Sequence, residues 1–223
     1  MTYNLETAQH PEKLRRVAID PVSRVDGPAQ IAVAVWVGLR RIRKWERIDW
    51  AAKFEDWRKS PKHPARASVE SWDWPRHIVI IPNYKEEETS LSRTVEAITE
   101  QVNAKQVVVL LAMEAREPGA NEKAARLVEK YADKLGEMFA TFHPYGLPGD
   151  TPGKGSNEAW AAREAFSRLI EDGRDDIRRY TITSCDADAL FHPRHFAALN
   201  YLFLTAKDRY RTFWPPTIFN SNN

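Results

Sequence analysis

An α/β fold with a mostly parallel sheet flanked by helices is predicted for this chain by three observations. From residue 76 onward, short β-branched runs alternate with stretches of helical period. The runs are short and β-branched, as in His77 to Ile81, where Ile78 to Ile81 are apolar at consecutive positions, which is the pattern of strands covered on both faces. The segments between them are long enough for helical crossovers, which parallel neighbours require.

The elements follow in order. Residues 1–29 carry turn formers such as Asp26-Gly27-Pro28 and no steady period. From Trp45 to Trp57 the apolar residues Trp45, Ile48, Trp50, Phe54 and Trp57 recur at helical spacing, and Ser60-Pro61-Lys62-His63-Pro64 reads as a linker. These features predict a Trp-rich helical N-terminal extension over 1–75 and a sheet domain over 76–223. Strand one is His77–Ile81, stopped by Pro82. Leu91, Val95, Ile98 and Val102 then mark a helix face. Strand two is Gln106–Leu111, followed by a helix bearing Ala124, Leu127, Val128, Tyr131 and Leu135. Met138–Phe142 is a third strand. Ala159, Ala162, Phe166, Leu169 and Ile170 line the next helix, and Tyr180–Cys185 forms a strand expected inside the sheet.

Bulk properties exclude several classes. With 33 basic and 31 acidic residues the net charge is +2, which gives no reason to expect a nucleic-acid partner. One cysteine, Cys185, excludes an internal disulfide and fits a reducing compartment. No secretory signal is visible, and the longest apolar run, Ile31 to Leu39, is too short to span a bilayer. A soluble, cytoplasmic chain is expected, with the inner face of a membrane as the alternative location. The Trp45–Trp57 stripe, preceded by Arg40-Arg41-Ile42-Arg43-Lys44, suits a membrane interface; packing as an extra core layer is the plainer reading.

Four segments converge at the carboxyl edge of such a sheet, where open α/β sheets bind ligands. Pro82-Asn83-Tyr84-Lys85-Glu86 follows strand one: Tyr84 offers a ring for a base and Glu86 an acceptor, although a strand-to-helix loop with an acidic first helical turn is the plainer reading of the segment taken alone. Glu114, after strand two, is placed for a base or ribose, while Arg116 and Glu117 read as a solvated pair. Pro152-Gly153-Lys154-Gly155-Ser156-Asn157 opens a helix with backbone clearance, a cation and Ser156 as a cap, which is phosphate-binding grammar or an ordinary turn. Asp186-Ala187-Asp188 leaves the last strand with two carboxylates able to share a hard divalent cation and thereby a diphosphate; capping of the next helix is the alternative. Pro193 fits a first helical position, His192 a packed turn, and Cys185 a small buried hydrophobe.

In this order and spacing the segments resemble family 2 glycosyltransferases. Pro82 to Glu86 resembles the opening Pro-x-Tyr-Asn-Glu, with Lys85 in place of Asn. Residues 152–157 resemble Gly-Lys-x-x-Asn, Asp186-Ala187-Asp188 matches Asp-x-Asp, and Pro193 fits the proline that follows. The resemblance covers residues 76 to about 206. It implies a GT-A fold, Mg²⁺ or Mn²⁺ on Asp186 and Asp188, and a nucleotide-diphosphate sugar held by Pro82, Tyr84, Glu86, Glu114, Lys154 and Asp186. The acceptor, a glycan, lipid or other molecule, is open. Glu114 stands near where the family has a base-contacting Asp, so the nucleotide is open too.

The family's acceptor-activating base lies in a downstream Thr/Ser-Glu-Asp segment, and its membrane-bound members carry Gln-x-x-Arg-Trp. Neither motif occurs here, and Asp208, the only later aspartate, suits a solvated position. The expectation is therefore a donor-binding half without an identified catalytic base. The alternatives are a non-catalytic nucleotide-sugar-binding or scaffold module, or a nucleotidyltransferase, against which the acidic stretch Lys85-Glu86-Glu87-Glu88 argues.

Overall fold

The structure, a computed structural model, describes residues 27–61, 69–151 and 153–215. Asp26, most of the 60–64 linker, Pro152 and Pro216 lie outside the described residues. Two compact units divide after Arg47, whereas the sequence pattern changes near residue 75.

The first unit contributes one described element, helix α1 (Gly27–Glu46). The helical period read across Trp45–Trp57 is in fact two helices. Trp45 lies in the last turn of α1, and α2 (Trp50–Arg58) starts afresh because Asp49 caps it, its carboxylate accepting from the Ala52 N–H at 3.0 Å.

In the second unit β1 (Arg76–Asn83), α3 (Glu88–Thr99), β2 (Val107–Glu114), α4 (Ala120–Tyr131), β3 (Glu137–His143), α5 (Lys154–Leu169), β4 (Tyr180–Ser184) and α6 (His195–Thr205) follow in turn. The four strands form one all-parallel sheet in the order β3-β2-β1-β4, in register with Val79 beside Val109 and Thr183, and Val109 beside Met138. The expected α/β class is therefore met, in a form compatible with a Rossmann-like fold.

Alternate strand residues feed two cores. Val79, Ile81, Val109, Leu111 and Met113 pack with α3, α4 and Phe196 of α6. Ile78, Ile80, Val108, Leu110 and Ala112 pack with Ala161, Ala165 and Leu169 of α5 on the other face. The chain steps outward from β1 to β3 with α3 and α4 on one face. It then returns past β1 to β4 with α5 on the opposite face, as crossovers of a single hand require. This reversal makes the gap between the carboxyl ends of β1 and β4 the topological switch point.

α2 packs on α6, with Trp50 and Tyr201 ring centroids 5.4 Å apart and Phe54 buried against Trp72. The α2 aromatics therefore serve the core. At the amino edge of the sheet the buried His77 ring meets Thr181 Oγ1 at 2.7 Å and Asn200 Oδ1 at 3.2 Å. Burial pushes its pKa down to about 3, and that of His195 to about 4. Gly136 enters β3 where a Cβ would collide with the Lys105 and Val107 carbonyl oxygens.

Several sequence expectations need correction. Pro82 does not stop β1, which runs through it to Asn83. β4 pairing ends at Ile80 and Ser184, with one further bond from the Cys185 N–H to the Ile80 carbonyl at 3.2 Å, so no ladder bond is owed by Pro82 on that side. β4 is an edge strand rather than an interior one, and Ile182 is 63 % exposed. Val102 lies beyond α3 and is exposed. The buried stripe of α5 is Asn157, Ala161, Ala165 and Leu169, leaving Phe166 outward. α6 begins at His195, so Pro193 sits in the preceding turn.

Candidate functional site

The loop after β1 is built around Glu117. One oxygen of its buried carboxylate accepts from Asn83 Nδ2 at 3.0 Å and from the Lys85 N–H at 2.9 Å. The other meets Lys123 Nζ of α4 at 2.5 Å, and that ammonium also donates to the Glu86 carbonyl at 3.0 Å. Lys85 has φ of 65°, a left-handed conformation unfavourable for a side-chain-bearing residue. The Glu117 contact to its own N–H holds it there. Tyr84 and Glu86 are exposed on this pinned loop.

Glu114 closes β2 and is only 2 % exposed, so its carboxylate does not face open solvent. It lies 3.4 Å from Arg116 Nε and 3.5 Å from His143 Nδ1, which ends β3 opposite it in the ladder. The other ring nitrogen of His143 is 2.6 Å from Asp150 Oδ2. Arg116, steered by Glu114, places its guanidinium 4.2 Å from the centre of the Tyr84 ring and 5.6 Å from that of Tyr145. Tyr84 thus carries a cation over its ring instead of standing free.

α5 begins at Lys154 with Gly153 as its cap residue in extended backbone, and its third residue Ser156 is not the cap. The Ser156 hydroxyl donates to the Gly153 and Thr151 carbonyls at 2.9 and 2.7 Å, closing the turn. Asn157 Nδ2 donates to the Ala112 carbonyl at 2.7 Å and fixes the helix start against β2. Lys154 is thereby aimed across the carboxyl edge, where its ammonium contacts the Asp186 carboxylate. That carboxylate holds the Lys154 pKa above its ordinary value, with partial burial opposing.

After β4 the chain turns around Ala187, which is buried and whose carbonyl accepts from the Thr94 hydroxyl at 2.7 Å. With Ala187 turned inward, its neighbours Asp186 and Asp188 both fall outside and are exposed. Cys185 just before them is pushed up to about 12 by burial and the neighbouring carboxylates, so it is an unreactive thiol. His192 is a turn residue whose Nδ1 accepts from the Arg194 N–H at 3.2 Å.

The structure therefore brings Lys154 together with Asp186, and Glu114 with Tyr84 through Arg116. Pro82 and Glu86 share the β1 exit without a side-chain bond to the others among those described. Asn83 Oδ1, His143 Nδ1 and Asn157 Oδ1 are buried at this end of the sheet with no hydrogen-bond partner in the protein.

Arg116, Glu117, His143 and Asp150 were not foreseen as site residues. The signal existed for the first two: in an in-register parallel sheet, the residues after β2 must lie beside those after β1. Asp186 and Asp188 offer carboxylate oxygens, the donor type that a hard cation such as Mg²⁺ or Mn²⁺ takes, and Asp186 is paired with the Lys154 ammonium. No group of three His, Cys, Asp or Glu able to hold a metal occurs among the described residues, so such an ion would need oxygens from ligand and water. Comparison with protein-family models, curated proteins and solved structures finds no match to this chain.

Proposed function

We propose that the sheet domain binds the nucleotide-diphosphate part of an activated sugar and supplies the donor side of a metal-dependent, inverting glycosyltransferase of GT-A type. The observation that carries the reading is the placement of Lys154 against Asp186 beside the β1–β4 switch point, with Asp188 exposed two residues on.

A diphosphate carries its charge on oxygens that need cations from more than one side. Lys154 would offer one. A divalent ion held by Asp186 and Asp188 would offer the other and stabilise charge on the leaving diphosphate. Tyr84 and Arg116 form a flat cationic platform at the β1 exit, suited to a base, and Glu114 orients it. Glu86 is exposed on the same loop for ribose or base hydroxyl and N–H groups. No residue is assigned as the acceptor base.

Calorimetric titration with UDP and GDP, against the corresponding monophosphates, tests the reading. Diphosphates are expected to bind at least about tenfold more tightly, a difference of roughly 1.4 kcal/mol. Equal affinity for mono- and diphosphates would remove the phosphate site. Binding of a nucleotide sugar without turnover would favour a non-catalytic binding module.

A further inference from the structure

Helix α1 divides sharply by chemistry. Residues 27–39 carry no charged side chain, whereas residues 40–47 carry five cations and one acid, Glu46. In the first part Ile31, Val33, Val35, Trp36, Val37 and Leu39 are all exposed. Successive residues turn by about 100°, so these six span roughly 240° of the circumference, and the small apolar residues Ala34 and Gly38 occupy the remaining sector. A protein groove covers one stripe of a helix; an apolar surface on all sides calls for a medium that surrounds it.

The basic part is ordered differently. Arg40, Arg43, Lys44 and Arg47 fall on one face and line a shallow hollow of about 330 Å³. The Arg40 guanidinium lies 4.7 Å from the centre of the Trp36 ring, joining the apolar and cationic parts. A tryptophan at the boundary between an apolar segment and a basic collar is the arrangement of a lipid–water interface. The apolar part is about 20 Å long at 1.5 Å per residue, short of the hydrocarbon core, and no described helix is long and apolar enough to cross a membrane.

We propose that α1 is an interfacial anchor for an anionic phospholipid surface. Its apolar part enters one leaflet, and Arg40, Arg43, Lys44 and Arg47 lie among the phosphates. The membrane-interface alternative read from the sequence lay on Trp45–Trp57; Trp50 and Phe54 are instead buried within the second unit, as the core-packing reading has it, and the exposed apolar surface belongs to α1. The anchor does not depend on the donor site, and lipid binding measured without nucleotide reads it alone.

The test is co-sedimentation of the full chain with vesicles of phosphatidylcholine, alone or with about one-third phosphatidylserine, at low and high salt. The chain is expected to pellet with the anionic vesicles, to be released by salt, and to pellet little with the neutral ones. Val35→Glu with Leu39→Glu should weaken pelleting at least tenfold, and Arg40→Gln with Arg43→Gln and Lys44→Gln at least severalfold. Both variants should keep the thermal unfolding of the parent. Absence of pelleting with anionic vesicles, or equal pelleting of parent and variants, would overturn the anchor. So would a defined self-assembly abolished by Val35→Glu in a chain that vesicles do not capture, which would assign α1 to a second copy.

Discussion

Lys154 reaches from the first residue of α5 to the carboxylate of Asp186 beyond β4, 32 positions along the chain. Both side chains are more than half exposed, so the pair contributes little to folding. Its consequence is positional: an ammonium and a carboxylate meet at the sheet edge where a cation and a phosphate oxygen could replace each as partner. Lys154→Ala is expected to leave the urea midpoint within experimental error and to weaken diphosphate binding about tenfold or more. Lys154→Arg should restore part of the loss. A large fall in stability with unchanged binding would make the pair structural.

The Glu117 carboxylate is the opposite case, a buried ion pair. Glu117→Ala leaves the Lys123 ammonium buried without its partner and frees the Lys85 N–H, Asn83 and the left-handed backbone at Lys85. Removing one partner of such a pair costs about 3 kcal/mol or more. Urea unfolding should register that loss, and nucleotide binding should weaken with it because Tyr84 stands on the same loop. A change below about 1 kcal/mol would place the pair among ordinary surface bridges.

Acid sensitivity follows from the far end of the sheet. His77 and His195 are held neutral in the folded protein, with pKa values lowered to about 3 and about 4 from 6.5. The unfolded chain takes up these protons first, so their stabilisation is complete above pH 6.5 and is lost as pH falls toward 4 and then 3. The slope should reach about 1.4 kcal/mol per pH unit for each histidine in that window. Unfolding free energies measured between pH 7 and 4.5 should fall, and His77→Gln should flatten the dependence. A flat profile for the parent would contradict the buried neutral network.

Much of the fold was legible because the sheet is built from local signals. Val107 to Leu111 and Ile78 to Ile81 are apolar at every position and buried, and Leu91, Val95 and Ile98 keep the helical period. What failed depended on distant partners. Pro82 reads as a terminator until β4 is seen to end at Ser184, paired with Ile80, so that the N–H which proline lacks is not called on by that strand. Tyr180–Ser184 has the composition of an interior strand, yet its edge position follows from the sheet order. Asp49 divides an apparently continuous aromatic period because its carboxylate caps the following helix.

The site was legible in the same uneven way. The glycine-flanked Lys154 and the alternation Asp186-Ala187-Asp188 announce themselves in sequence, and burial of Ala187 explains why both aspartates face out. Arg116 and Glu117 look like a solvated pair because their partners Tyr84, Asn83 and Lys85 lie about 30 positions away. Glu114 was visible as an acidic residue at a strand end, but its burial against His143 was not.

The central claim is a cation-dependent diphosphate site on Asp186 and Asp188. Its most direct test is titration of UDP- and GDP-sugars in the presence of Mn²⁺, in parent and Asp188→Ala, with unfolding followed alongside. Binding should appear with Mn²⁺ and disappear with chelator. Asp188→Ala should weaken it at least about tenfold, and stability should stay unchanged because Asp188 is exposed. Absence of metal-dependent binding by the parent, or equal binding by Asp188→Ala, would contradict the account.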